Sequence, residues 1–103
     1  DLLTAGAISL DPARGTVMAG GRPINLPPKE FALLRVLMER RNRVLTRDEL
    51  LNLAWGWDFD GSDRVVDSHI KKLRRALGTH ADCIKTVVKR GYKLEVDGDE
   101  SKT

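Results

Sequence analysis

Five cations crowd into one short stretch of this chain, where Arg64, Lys71, Lys72, Arg74 and Arg75 are accompanied by a single acid, Asp67. The whole chain carries a formal charge of +3, so everything outside Arg64–Leu77 nets to −1. A positive excess confined to one element is the electrostatic footprint of a nucleic-acid contact. If the stretch winds at about 100° per residue, Val66, Ile70, Leu73 and Leu77 share one wedge, while Arg64, Ser68, Lys71, Lys72 and Arg75 lie opposite. One side asks for a protein core and the other for negative charge. Such a rod, about 20 Å long at the helical rise of 1.5 Å per residue, fits the major groove of duplex DNA. An ordinary solvated helix face would intersperse Glu, and this one has none.

Other chemistries find little support. Cys83 is the only cysteine, which excludes an internal disulfide or a cysteine zinc site and points to a reducing, cytoplasmic setting. It reads as a small, partly buried residue ahead of a strand. Gly20-Gly21 lacks the Gly-Lys-Ser/Thr of a phosphate loop and reads as a hairpin turn. Asp58 and Asp60 lack the twelve-residue calcium loop with its terminal Glu, and His69 and His80 stand too far apart in sequence to suggest a metal pair. No nucleophile elbow is present, so neither an enzyme nor a cofactor is expected. No apolar run approaches a membrane span, and no signal peptide is visible. The chain opens at Asp1 without an initiator Met, which reads as a fragment of a longer protein.

The elements that must position the cationic rod are legible in order. A chain of 103 residues with 41% hydrophobic content is expected to be one domain with a modest core. Residues 1–26 alternate apolar and polar positions, with Ile8 and Leu10, Val17 and Ala19, and Ile24 and Leu26 spaced two apart between turns at 11–15 and 20–21. This predicts a small antiparallel meander that needs a helical layer over its apolar face. Three helices are predicted within 28–77. The first runs from Pro28 to about Arg41, with Phe31, Leu34, Leu37 and Met38 on one stripe and Asn42 as a left-handed cap. The second starts at a capping box, Thr46 with Glu49, and runs to about Ala54, with Leu50, Leu51, Leu53 and Ala54 as core and Leu45 stapling onto Leu50. The third is the cationic rod, capped by Ser62 or Asp63 and ended by Gly78. Residues 84–96 predict a hairpin, Ile84–Val88 and Tyr92–Val96, turning at 89–91 with Gly91 free to take a positive φ. Residues 97–103 read as a polar, frayed tail.

Three helices with a trailing basic hairpin make a winged helix-turn-helix, an α+β fold with an N-terminal antiparallel sheet. Several ordered motifs make the pattern specific: Lys29-Glu30-Phe31-x-Leu33-Leu34, Val44-Leu45-Thr46-Arg47-x-Glu49-Leu50, Trp55-Gly56, Arg64-x-Val66-Asp67-x-His69-Ile70-x-x-Leu73-Arg74, and Thr86-Val87-x-x-x-Gly91-Tyr92. Over roughly residues 5 to 96 the chain resembles the C-terminal effector domain of OmpR/PhoB-type response regulators of bacterial two-component systems. The resemblance implies sequence-specific double-stranded DNA binding and transcription control. It implies that Val65, Ser68 and Lys72 face base edges, that Arg64, His69, Lys71, Arg74 and Trp55 approach phosphates, and that a wing with Thr86, Lys89 and Arg90 reaches the adjacent minor groove. It further implies that the loop with Trp57, Asp58, Phe59 and Asp60 touches an RNA polymerase subunit, that a receiver domain precedes this chain, and that two copies bind direct repeats head to tail.

Three departures from the family pattern bear on readout. Val65 stands where Thr or Ser is frequent, favouring a thymine methyl over a hydrogen bond. Pro27 replaces a usual Thr cap. Val88 occupies the usual wing-arginine position, leaving Arg90 as the expected replacement. The competing expectation is a winged helix used for protein contact through its aromatic loop, without DNA readout.

Overall fold

The computed structural model describes residues 1–96. The polar tail predicted at 97–103 lies outside the described residues. Four short strands open the chain: β1 Leu3–Ala5, β2 Ile8–Asp11, β3 Thr16–Ala19 and β4 Arg22–Ile24, paired antiparallel in sequence order. The register explains the alternation. Ala5, Ile8 and Ala19 fall in one cross-strand row, and Leu3, Leu10, Val17 and Ile24 in the next. Both rows turn to the core, whereas Met18 and Pro23 pair on the outer face. Pro23 is tolerated because β4 is an edge strand. The meander therefore has one strand more than the three predicted pairs. Leu26 lies beyond it, partly buried in the approach to the first helix.

Helix α1 (Pro28–Glu39) starts on proline geometry, with Pro28 in the first turn and no side-chain cap from Pro27. Its Leu33, Leu34 and Leu37 are fully buried, together with Val36 and Met38. The helix ends before the predicted Arg41. Asn42, at φ 66°, gives its N–H to the Leu94 carbonyl at 2.7 Å, drawing the chain off the helix axis. Helix α2 (Arg47–Trp55) has the expected capping box, with Thr46 Oγ1 accepting from the Glu49 N–H at 3.0 Å and Glu49 Oε1 accepting from the Thr46 N–H at 2.8 Å. Leu50 and Leu51 are buried, but Leu53, expected in the core, is 42% exposed. On the helical wheel it lies about 100° from the centre of the face that Leu50, Leu51 and Ala54 share. It lines a surface groove with Phe31 and Val36 instead.

Helix α3 (Arg64–Leu77) buries Val66, Ile70, Leu73 and Leu77, the predicted stripe. At its start Ser62 Oγ accepts from the Arg64 N–H at 3.1 Å, while Asp63 makes no side-chain cap bond. A 3-10 turn over Gly78–Cys83 follows, in which the half-buried Cys83 donates its S–H to the His80 carbonyl. The wing is β5 (Ile84–Val87) paired with β6 (Gly91–Leu94). Leu45 adds a third backbone rung beside β6, exchanging both hydrogen bonds with Tyr92 at 2.8 and 2.9 Å. Gly91 takes the expected positive φ, but the turn lies at 88–90, one residue earlier than predicted. Lys89, at φ 65°, supplies the left-handed residue, and Gly91 opens β6, where its φ of 151° and the closeness of Leu45 admit only hydrogen on Cα. With that sheet, three helices and hairpin, the fold is the winged helix-turn-helix expected from the sequence.

A Cβ at Gly91 would lie 1.9 Å from the Leu45 carbonyl oxygen, so backbone must shift. Gly91→Ala is expected to lower unfolding free energy by about 3 kcal/mol or more in urea titration. Gly21→Ala, also at positive φ but with no atom within 4 Å of the new Cβ, costs about 1 kcal/mol.

Candidate nucleic-acid interface

Burial of the α3 stripe turns the opposite side of that helix outward. Arg64, Ser68, Lys71, Lys72 and Arg75 are all exposed. Lys71, Lys72 and Arg75 have no hydrogen bond or ion pair among the described residues, so their charges face solvent uncompensated. Val65 is partly buried at the edge of the core, presenting an apolar surface beside Arg64.

The lone acid of α3 faces the protein. Arg47 Nε donates to both Asp67 oxygens at 2.8 and 3.1 Å, and the Tyr92 hydroxyl donates to Oδ1 at 2.5 Å. Asp67 thereby joins the start of α2, the middle of α3 and strand β6. Partial burial by itself would raise its carboxyl, but the Arg47 and Tyr92 hydrogen bonds outweigh it and hold the group below the ordinary 3.8. Tyr92 moves the other way, pushed up to about 12 by its own burial and then by the Asp67 carboxylate it donates to. The phenol is therefore a proton donor across the physiological range.

Arg74 makes the second tie between α3 and the wing. One guanidinium nitrogen donates to the Ile84 carbonyl and to Thr86 Oγ1, each at 2.8 Å, and the group sits 5.7 Å from the centre of the Tyr92 ring. Arg74 and Thr86, singled out separately in the sequence, are thus brought into contact. Lys89 and Arg90 stand exposed at the wing tip next to Val88, which is 76% exposed.

A third tie lies at the other flank of α3. His69 Nδ1 is 2.5 Å from Oε2 of Glu30, a carboxyl on α1 that is only 2% exposed. The edge of Trp55 meets the His69 ring at a centroid distance of 5.2 Å, and Lys29 Nζ lies 5.4 Å from the Trp55 ring centre. Trp55 is half-buried, a packing element against the core. In the following loop Phe59 leans on Trp55 at 6.1 Å, whereas Trp57 is 82% exposed beside the exposed Asp58 and Asp60. Sequence reasoning singled out neither Arg47 nor the contacts of Glu30, Asp67 and Tyr92. The available signal was Asp67 itself, an acid in a helix whose other charges are all positive. Among the described residues no cluster of His, Cys, Asp or Glu is arranged to hold a metal ion, and no helix is long and apolar enough to cross a membrane.

Asp67→Asn is expected to cost about 1 kcal/mol at pH 7, a hydrogen bond to a charged group discounted for solvent screening. Because the folded carboxyl titrates below its unfolded value, its stabilisation is present above that value and lost as pH falls through the folded one. Chemical denaturation of both proteins should therefore show curves that differ at neutral pH and converge below 3.8.

A family model described as "Transcriptional regulatory protein, C terminal" matches residues 21–94. The chain is 41% identical over 96 residues to the phosphate regulon transcriptional regulatory protein PhoB of Escherichia coli, covering 91% of this chain and 42% of that protein. It is 42% identical over 97 residues to the sensory transduction protein RegX3 of Mycolicibacterium smegmatis, with the same two coverages. The chain thus spans less than half the length of these curated relatives. The DNA-binding domain of RstA from Klebsiella pneumoniae, solved in complex with the RstA box, superposes with a TM-score of 0.81 at 34% identity, covering 92% of this chain and 97% of that one. A family match over most of the sequence, joined to the same three helices and two antiparallel sheets, places this chain among the transcriptional regulatory protein C-terminal domains of OmpR/PhoB-type response regulators.

Proposed function

We propose that this chain is a sequence-specific, double-stranded DNA-binding effector domain of a two-component response regulator. The observation that carries the reading is the outer side of α3, where Lys71, Lys72 and Arg75 stand exposed and unpaired while the opposite stripe is wholly buried. A helix held so firmly by one side presents the other as a rigid cationic ridge, of a width and charge that suit a major groove. That the related RstA domain is solved on its own DNA box supports the same use of the fold.

In this reading the chain is one domain over residues 1–103, acting by binding and not by catalysis. Val65, Ser68 and Lys72 face base edges, and Arg64, Lys71, His69, Arg74 and an edge of Trp55 meet phosphates on either side. Arg74 already holds the wing, so it presents to a phosphate only the N–H groups left over. Thr86 serves the wing through that same bond, and Lys89 and Arg90 enter the neighbouring minor groove. A receiver domain precedes the N-terminal sheet, and two copies occupy direct repeats head to tail in the cytoplasm. Trp57, with Asp58, Phe59 and Asp60, faces an RNA polymerase subunit. The exposure of Trp57 also favours a second reading, a protein-contact module without DNA readout.

Selection from random duplexes should enrich a repeated motif, and the salt dependence of binding should be steep. A flat salt plot with no affinity for any duplex would favour the protein module. On the selected site Lys72→Ala is expected to cost about 1–3 kcal/mol and to blur one base position. Lys71→Ala should weaken all duplexes evenly and reduce the salt slope by about one. Equal losses from both substitutions on every sequence would overturn the base-reading assignment.

A further inference from the structure

We infer that Glu30 is a positioning residue that sets the proton state of His69 and so turns its Nε2–H outward as a donor to a DNA phosphate, with uptake of one proton on binding. The inference rests on the reading of α3 as the DNA-facing helix. Glu30 is almost wholly buried, and its Oε2 lies 2.5 Å from His69 Nδ1. Trp55 closes on the ring from α2 at 5.2 Å, so the imidazole is held on two sides. Nε2 has no hydrogen bond among the described residues, and no buried side-chain nitrogen or oxygen there lacks a partner, so this atom reaches solvent. It does so on the helix that carries the free cations, one turn after Val65 and one turn before Lys72.

Proton counting decides what that nitrogen can do. A neutral imidazole has one N–H. If Nδ1–H donates to the Glu30 carboxylate, Nε2 carries a lone pair, which a phosphate oxygen repels. A phosphate contact therefore needs a second proton in the pair, either as imidazolium beside carboxylate or as a carboxyl donating to Nδ1 with the ring proton on Nε2. Both arrangements hold two protons, make the pair neutral instead of −1 and leave Nε2–H as a donor. The proton comes from solvent, and no covalent bond changes. Among the charged groups around the ring, Glu30 on α1 favours this state. Lys29, also on α1 and lying over Trp55, opposes it, as does Lys72 along α3.

The test is fluorescence-anisotropy titration of a fixed duplex at constant ionic strength between pH 6 and 8, with far-UV circular dichroism as the folding control. Wild type is expected to lose about tenfold in affinity across the window, by proton linkage. Glu30→Gln, whose amide N–H can donate to Nδ1 as the protonated carboxyl would and leave the ring proton on Nε2, should keep the pH 6 affinity of wild type across the window and so lose the slope. His80→Gln should keep the wild-type slope. A Glu30 that only supports packing would lower the melting temperature and leave the slope intact. One acting only as a negative charge would bind tighter when removed at every pH; either result overturns the inference. If Glu30→Gln does not fold, nitrogen-15 NMR of the wild-type His69 ring decides. A protonated Nε2 in the complex at pH 7 supports the inference, and an unprotonated one overturns it. Wild type that binds duplex with no pH dependence overturns this inference alone, whereas failure to bind any duplex removes the functional reading and this inference with it.

Discussion

Val66, Ile70, Leu73 and Leu77 lose nearly all contact with water, and that single stripe fixes the rotation of α3 about its own axis. Burying four aliphatic side chains contributes about 6–12 kcal/mol relative to leaving them exposed. That is as large as the net stability of a typical small domain. Turning the helix by one residue, about 100°, would carry all four off the core-facing direction and bring charged residues towards it, so the cationic ridge follows from the core and needs no separate device. The sheet and α1 are the other half of this constraint. Leu33, Leu34 and Leu37 of α1 and Leu10 of the sheet are buried in the same core as the stripe.

Apolar packing is non-directional, and α3 is held more closely by three polar ties. Asp67 reaches Arg47 and Tyr92, Arg74 reaches Ile84 and Thr86, and His69 reaches Glu30. Each has a directional bond that fails if the helix slides along the core. The first two also set the wing relative to α3, because Tyr92 and Thr86 belong to its two strands and Leu45 adds a third backbone rung. Helix and hairpin thus behave as one rigid surface, which lowers the ordering cost of binding an extended ligand.

Charge is divided between the two tasks. Cations with internal partners, Arg47 and Arg74, build the scaffold; Lys71, Lys72 and Arg75 have none among the described residues and remain available. Spacing could not make this distinction, since Arg74 and Arg75 are adjacent in the chain and differ only in which side of α3 they leave. The same holds for Trp55 and Trp57, two residues apart, of which one packs on His69 and the other stands in solvent.

The sequence by itself determined the elements. Period-two alternation, the Thr46–Glu49 box, Gly78 as a helix end, and the apolar stripe of α3 are all local properties, written within a few residues of one another. It also identified the cationic face, because charge asymmetry on one helix depends only on spacing, and its ordered motifs pointed to the family. Leu53 misled for the complementary reason. Whether a leucine is covered, or a glycine is crowded, depends on which segment the fold lays beside it, and for Gly91 that segment is Leu45, far upstream. Only the tertiary structure decided that Glu30 meets His69 across 39 positions of sequence, and Asp67 meets Arg47 across 20 and Tyr92 across 25. Such contacts depend on the directions in which packed elements aim their side chains, and no local pattern encodes that.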